Sequence, residues 1–331
     1  MKEFKESVGI DVSKETLDVH LHLKDVSEKF ENNQGGFKKL VRWVTNQVED
    51  LKSVMFCFEH TGMYSMALAI FLSERDQPFC MVPALEIKRS LGIVRGKNDR
   101  IDAQRIAKYC YRHRDELKQT TLPSKELSKI KSLLSLRERM VAQRAGYITS
   151  LGEMKLIFPT KENKELFKCQ EDQIAALTKS ITTIEKAINK LIKSTPEVKE
   201  LYHLLTSIKG IGNIVAINLI VVTNCFTSFQ NSRQLACYCG IAPFERQSGT
   251  SLKSGSKVSH FANKKMKVLL NLAASTAIQT DPELRAYYTR RIEKGKSKMS
   301  TLNIVRNKLL HRVFAVVKRG SGYVEIQKWA A

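Results

Sequence analysis

Apolar and polar positions change their period twice along this chain. Ser7–Val12 (SVGIDV) is a short apolar run, and Leu17, Val19, Leu21 and Leu23 then alternate with polar neighbours, as in a half-buried strand. The turn at Ser13–Thr16 between them predicts a hairpin. Phe37, Leu40, Val41, Val44 and Val48 share one face of a helix over 37–48. Apolar strands are predicted at Ser53–Phe58 and Pro78–Val82, with His60-Thr61-Gly62 and a helix through 67–72 between them. Segment 99–113 (DRIDAQRIAKYCYRH) reads as a helix with Ile101, Ile106 and Cys110 on its apolar side. Alternating strand and helix signals predict an α/β domain over residues 1–123.

Beyond it the period becomes purely helical. Ile174, Leu177, Ile181, Ile184, Ile188 and Leu191 are spaced alternately three and four apart, a heptad seam. A helix from about 124 to 158, ended by Pro159, completes an antiparallel hairpin over 124–195. The period alone leaves open whether the seam mates within the chain or with a second subunit. After Pro196 a third unit, 196–331, holds the turn Lys209-Gly210-Ile211-Gly212 before the apolar helix 214–222. Glycines at a helix start expose backbone N–H groups to which a phosphate can dock. Lys209, Gly210 and Gly212 are therefore candidate DNA-backbone contacts, with an ordinary tight turn as the alternative. Residues 247–257 (QSGTSLKSGSK) read as an exposed basic loop, and 263–280, 282–294 and 301–318 as helices.

Charge sharpens this division. The 331 residues carry 55 Lys and Arg against 33 Asp and Glu, a net of +22. Residues 1–100 are neutral, with 15 of each sign, whereas residues 251–331 carry 17 basic and 4 acidic side chains. Such asymmetry points to a polyanion, nucleic acid before an anionic membrane, and a merely solvated basic face is the alternative. The longest apolar stretches, such as 214–222, fall far short of the ~18 residues that span a bilayer. The opening MKEFKESVGIDVSK has no apolar signal core. A cytoplasmic, nucleoid-associated protein is the expectation. Seven scattered cysteines, with one lone C-x-C at Cys237 and Cys239, predict buried reduced thiols and no zinc site.

Four carboxylates carry the candidate chemistry. Asp11 sits inside an apolar strand and Glu59 directly follows one, places where a carboxylate is costly unless paired or bound to a cation. Asp99 and Asp102 lie three apart, on one helix face. Hard cations such as Mg²⁺ take oxygen ligands, and such ions stabilise both oxygens of a phosphoryl displacement. The alternatives are a turn residue for Asp11, a strand-end acid for Glu59, a helix cap for Asp99 and a first-turn dipole partner for Asp102.

At these residues a resemblance emerges. GIDVSK followed by LDV, FEHTG and GKNDRIDAQRIA together resemble the RuvC-like, DEDD-type domain of the insertion-sequence 110-type transposases. IKGIG and GIAPFERQSGT, followed by a Lys-rich helix start, are similar to that family's carboxy-terminal domain. The resemblance implies an RNase H-like (RuvC-like) α/β domain, an α-helical coiled coil for oligomerisation and a mainly α-helical carboxy-terminal transposase domain. It further implies an acidic tetrad of Asp11, Glu59, Asp99 and Asp102 that binds Mg²⁺ or Mn²⁺, and a serine nucleophile carried over onto Ser248. A composite site built from two subunits of a homo-oligomer, double-stranded DNA as substrate and a structured guide RNA complete what the family implies.

Around Ser248 the residues themselves are less decisive. Ser251, Ser254, Ser256 and Ser259 are competitors, and His260 is twelve residues away. Arg246, Lys253, Lys257, Lys264, Lys265 and Lys267 are candidate phosphate contacts, and Gly249 would admit a close backbone approach. The segment VSHFANKKMKVLL departs from the Gly- and Arg-rich stretch of many relatives. Met63, Tyr64 and Phe261 could stack on bases, with a core role as the favoured reading. His20, His22 and His113 read as structural. The expected function is thus an RNA-guided transposase using Ser248 and a Mg²⁺-binding tetrad. The alternatives are an RNase H-fold metal-dependent nuclease, in which Ser248 is incidental, and a non-catalytic nucleic-acid scaffold.

Overall fold

The computed structural model describes residues 4–60, 62–90, 92, 98–159, 161–248 and 252–324, with the side chains of 245–257 left out. The chain divides into two compact units, Met1–Leu122 and Pro123–Ala331.

In the first unit five strands form one sheet: β1 (Glu6–Val12), β2 (Thr16–Leu21), β3 (Val26–Glu31), β4 (Val54–Glu59) and β5 (Phe79–Val82). Their order is β3-β2-β1-β4-β5. The first three run antiparallel, whereas β4 is parallel to both β1 and β5. Helices α1 (Gln34–Gln47), α2 (Met63–Ser73), α3 (Ala84–Ser90) and α4 (Asp99–Arg112) complete the unit. This mixed sheet with flanking helices is the expected RNase H-like architecture. The alternation ends at Leu21, and Leu23 lies exposed in the following turn. Polar, half-exposed β3 escaped the periodicity because one residue in two of an edge strand need not be apolar.

Period-two alternation gives the sheet two different faces. Val8, Ile10, Val12, Phe56 and Phe58 point to one side and form a core with Phe37, Leu40, Leu68 and Phe71. Burying each such side chain stabilises the fold by roughly 1.5–3 kcal/mol. Met55, Cys57, Cys80 and Val82 point to the other side, packing with Ile106, Tyr109 and Cys110 of α4. Helix α4 lies very close to β1. A Cβ on Gly9 would fall 2.2 Å from the Ala103 carbonyl oxygen and the Ala107 nitrogen, so only glycine fits. Ser7 seals the contact by donating its hydroxyl to the Ala107 carbonyl at 2.9 Å.

The second unit is mainly helical. Its elements are α5 (Lys125–Ile157), α6 (Lys164–Ser194), α7 (Pro196–Thr206), α8 (Asn213–Val222), α9 (Ser232–Tyr238), β6 (Pro243–Ser248), β7 (Leu252–Val258), α10 (Lys264–Thr280), α11 (Pro282–Glu293) and α12 (Lys298–Arg319). Helices α5 and α6 form the hairpin. The heptad positions Ile184 and Ile188, with Ile192, pack with Leu127, Ile130 and Leu134 of α5. This part of the seam therefore mates within the chain. Ion pairs Arg137–Glu185 and Lys155–Glu171, both 2.7 Å, join the two helices along their length. At the far end, Leu156, Ile157, Phe158 and Leu166 remain exposed.

Two expectations change here. Within the expected loop 247–257, the described residues 247, 248 and 252–257 lie on β6 and β7, which pair as an antiparallel ribbon with Ser248 opposite Leu252. Gly210 has φ +92°, and a Cβ there would lie 2.5 Å from the Ala277 Cβ and 2.7 Å from the Ala273 carbonyl oxygen of α10. Close packing against α10 is thus reason enough for this glycine.

Candidate active site

Strands β1 and β4 place Asp11 and Glu59 on the sheet face covered by α4. Each is two residues beyond a position pointing that way, Gly9 and Cys57, and these two are themselves partners in the parallel register. Helix α4 supplies Asp99 and Asp102 in its first turn. Its cap is Asn98, whose side chain accepts from the Ile101 N–H at 2.9 Å. Asp99 is therefore not the capping residue but the first residue inside the helix, where a negative charge meets the positive end of the helix dipole.

These carboxylates influence one another. Burial, followed by the charges of Asp99, Asp102, Glu59 and Asp18, pushes the Asp11 carboxyl up to about 6. Asp18 is the acid that sequence reasoning missed. It lies directly opposite Asp11 across the hairpin and pairs with Lys29 at 3.2 Å. The signal was available, since a four-residue turn at 13–16 fixes which residues face each other. Asp102 is turned to Arg105, whose Nη1 donates to its Oδ1 at 2.8 Å.

The expected metal centre needs correction. Among the described residues, the group that brings three ligand atoms within 4.8 Å of one another is Cys57, Cys80 and Cys110, not the acidic residues. Asp102 is held by Arg105 instead of closing on its neighbours. Three soft sulfurs do not make a Mg²⁺ or Mn²⁺ site, since those ions favour oxygen donors. Hydrogen bonding with Cys110 and Cys80, together with burial, holds the Cys57 thiol well above its ordinary value. The expected function is corrected with it: among the described residues no Mg²⁺-binding tetrad closes, and no serine nucleophile is indicated.

The remaining candidates fall in the second unit. Ser248 ends β6; the side chains of Ser248, Arg246, Lys253 and Lys257 and the whole of Gly249 lie outside the described residues. Lys264 is exposed at the start of α10, Lys267 is half-buried, and Lys265 pairs with Glu138 of α5 at 2.7 Å. Gly212 caps α8 with open space around it, and Lys209 is half-buried beside Gly210. Met63, Tyr64 and Phe261, expected in the core, are exposed. The Asn32 amide donates to both the Ser13 and Tyr64 carbonyls, holding the β1–β2 turn to the start of α2.

Comparison with known proteins finds relatives over both units. A DEDD-type IS110 transposase model matches residues 8–159, and a model described as "Transposase IS116/IS110/IS902 family" matches residues 202–289. A "Pilin gene-inverting protein" of Moraxella lacunata is 29% identical over 321 residues, covering 95% of this chain and 96% of its own. The "Insertion element IS110 uncharacterized 43.6 kDa protein" of Streptomyces coelicolor is 30% identical over 153 residues, 45% of this chain and 38% of that protein. The "Transposase for insertion sequence element IS1111A" of Coxiella burnetii is 24% identical over 178 residues, 46% of this chain and 47% of its own. No helix among the described residues is long and apolar enough to cross a membrane. With an RNase H-like unit and a helical unit each matched by a model of the same group, the chain belongs to the IS110 family of transposases, enzymes that cut and rejoin DNA.

Proposed function

We propose that the first unit cuts double-stranded DNA as an RNase H-fold, metal-dependent nuclease, at the carboxylates around Asp11. The observation that carries this reading is the burial of Asp11 among like charges, which together raise its carboxyl to about 6. A fold gains nothing from such repulsion, and a cation offsets it. The groups whose charge reaches Asp11 are carboxylates, and oxygen donors suit Mg²⁺ or Mn²⁺. When bound, such an ion supplies positive charge for the phosphate oxygens of the bond being cut. Asp11 must be ionised to take part, so cutting should fall as pH drops below about 6. Water is the attacking group in this reading.

The second unit supports the partners. Its basic excess suits the backbones of double-stranded DNA and of a structured guide RNA. The exposed apolar side chains at the hairpin tip support association between copies as a homo-oligomer. A relative aligned along almost its whole length is named for inverting a gene, which supports rearrangement of double-stranded DNA as the outcome.

The test is to incubate the protein with element-end DNA and Mg²⁺ or Mn²⁺, with and without chelator, and to analyse the ends. Free, protein-less ends that require the metal and disappear in Asp11→Asn support the reading. Metal-independent cutting, or DNA ends recovered covalently attached to protein, would overturn it.

A further inference from the structure

Cys57, Cys80 and Cys110 are brought together by three separate features of the first unit. Cys57 and Cys80 are direct partners on the parallel strands β4 and β5. Cys110 arrives from α4, which can approach because Gly9, the neighbour of Cys57 on β1, has no side chain. All three thiols are essentially inaccessible, at 0%, 2% and 1% exposure, and Met55, Val82, Ile87, Ile106 and Tyr109 wall them in. Their sulfurs lie within 4.8 Å of one another. The other four cysteines, Cys169, Cys225, Cys237 and Cys239, join no such group among the described residues.

We propose that these three sulfurs form a trigonal site for a monovalent thiophilic ion, Cu⁺, which pins α4 to the central sheet. Ligand number and softness select this ion class. Structural Zn²⁺ is almost always four-coordinate, and no fourth His, Cys, Asp or Glu joins the three within ligand distance among the described residues. Soft thiolate ligands favour Cu⁺. The thiolate is the sulfur form that binds a metal, so one thiol proton leaves to water for each sulfur that ligates Cu⁺. No electron is transferred and no sulfur is oxidised.

The placement gives the site a consequence. Cys57 is two residues before Glu59 on the same strand face, and Cys110 lies on the helix that carries Asp99 and Asp102. An ion bound here would fix the two elements that position those acids, without touching DNA. This inference is independent of how the acidic residues act. It would survive if the nuclease reading failed.

The experiment unfolds and refolds the full-length protein anaerobically with Cu⁺ held in a competing chelator, because a closed core admits the ion only during folding. Bound copper is measured after gel filtration, its ligands by X-ray absorption and the melting temperature by calorimetry. One copper per chain with three sulfur neighbours, a higher melting temperature and no such gain with Zn²⁺ is the expected result. Cys57→Ala, Cys80→Ala and Cys110→Ala should each reduce copper retention at least tenfold, while Cys169→Ser retains it. Should the alanine variants fail to refold, the sulfur count on the unaltered protein still decides. No retained copper, a nitrogen- or oxygen-rich coordination shell, or unchanged retention in a folded alanine variant would overturn the proposal. So would a Cys57–Cys80 disulfide mapped by mass in the protein as isolated.

Discussion

The two units solve the problem of placing charge in opposite ways. The first is nearly balanced, with 20 basic and 18 acidic residues, and sets acids at the ends of inner strands of a packed sheet. Asp11 reaches its neighbours because strand pleat and register leave it no other face. The second holds 35 basic and 15 acidic residues, carried mainly on helices. There, long flexible lysines sit on exposed or half-exposed helix positions, and any one of them can be screened or paired, as Lys265 is by Glu138. A sheet fixes a few charges in position, at the cost of repulsion. A helical surface gathers many charges without fixing them. The first arrangement suits bond-breaking and the second suits holding a polyanion.

If this contrast is right, removing one charge should be drastic in the first unit and mild in the second. Asp11→Asn is expected to lower the rate of metal-dependent cutting about a thousandfold while leaving DNA affinity within about twofold. That corresponds to about 4 kcal/mol, at ~1.4 kcal/mol per factor of ten, within the several kcal/mol that metal charge supplies to a phosphoryl transition state. Single-turnover cleavage beside a binding titration measures both quantities. Equal losses of rate and affinity would show that Asp11 has no special place in the chemistry.

Next in size is a change that tests the second unit as a scaffold. Ile188 is 2% exposed and packs in the same core as Leu127, Ile130 and Leu134. Ile188→Lys puts an unpaired charge into that core and should cost about 3 kcal/mol or more. Calorimetry should show the second unit melting early, with the sheet's near-ultraviolet signal retained at that temperature. A change in assembly size with no loss of stability would mean that the seam also serves another subunit.

How much of this could be read from the chain depends on the range of the interactions involved. The β1–β2 hairpin and the helix beginning at Asp99 were legible, because turn and helix signals act over a few residues. The seam was legible as a pattern, but not as a pairing within the chain, since a heptad does not identify its partner. The β6–β7 ribbon was hidden by its composition: Ser, Gly and Lys are poor strand formers, and only pairing makes them a strand. Cys57, Cys80 and Cys110 were unreadable as a group. Nothing in their spacing joins them; the parallel register and the close approach of α4 over Gly9 do.

A smaller effect is expected from the basic helix start. Lys264→Gln with Lys267→Gln removes two charges from α10 while leaving Lys265 with Glu138. If both contact phosphates, the slope of log affinity against log salt should become shallower by about 1.8 units, at ~0.9 per contact on B-form DNA. Filter binding over a salt series reads this directly. An unchanged slope would place both lysines off the nucleic acid, and the second unit's affinity would then lie elsewhere on its surface.

The smallest effect is also the one that isolates the cost of the charge at Asp11, which comes from burial and from its acidic neighbours, from any chemistry. An unfolded aspartate titrates near 3.8, whereas folding raises Asp11 to about 6, so between these values the folded protein binds the extra proton. Stability from this group therefore falls as pH rises through that window and stays at its lower level above it. Removing the charge should reverse the sign of the familiar mutation effect. In chelator, Asp11→Asn should melt higher than the unaltered protein at pH 7.5, and its advantage should shrink steadily as pH is lowered toward 4. Because the carboxyl is only half-buried, solvent limits both its burial cost and the repulsion, and a shift of no more than a few degrees is expected. Adding Mg²⁺ should then raise the melting temperature of the unaltered protein alone, since only it keeps the ionised Asp11 that a cation would neutralise. A melting difference that stays constant from pH 7.5 to 4 would mean that Asn changes packing, not charge. Asp11 would then be an ordinary strand residue, and the contrast between a strained acidic sheet and a relaxed basic surface would lose its central example.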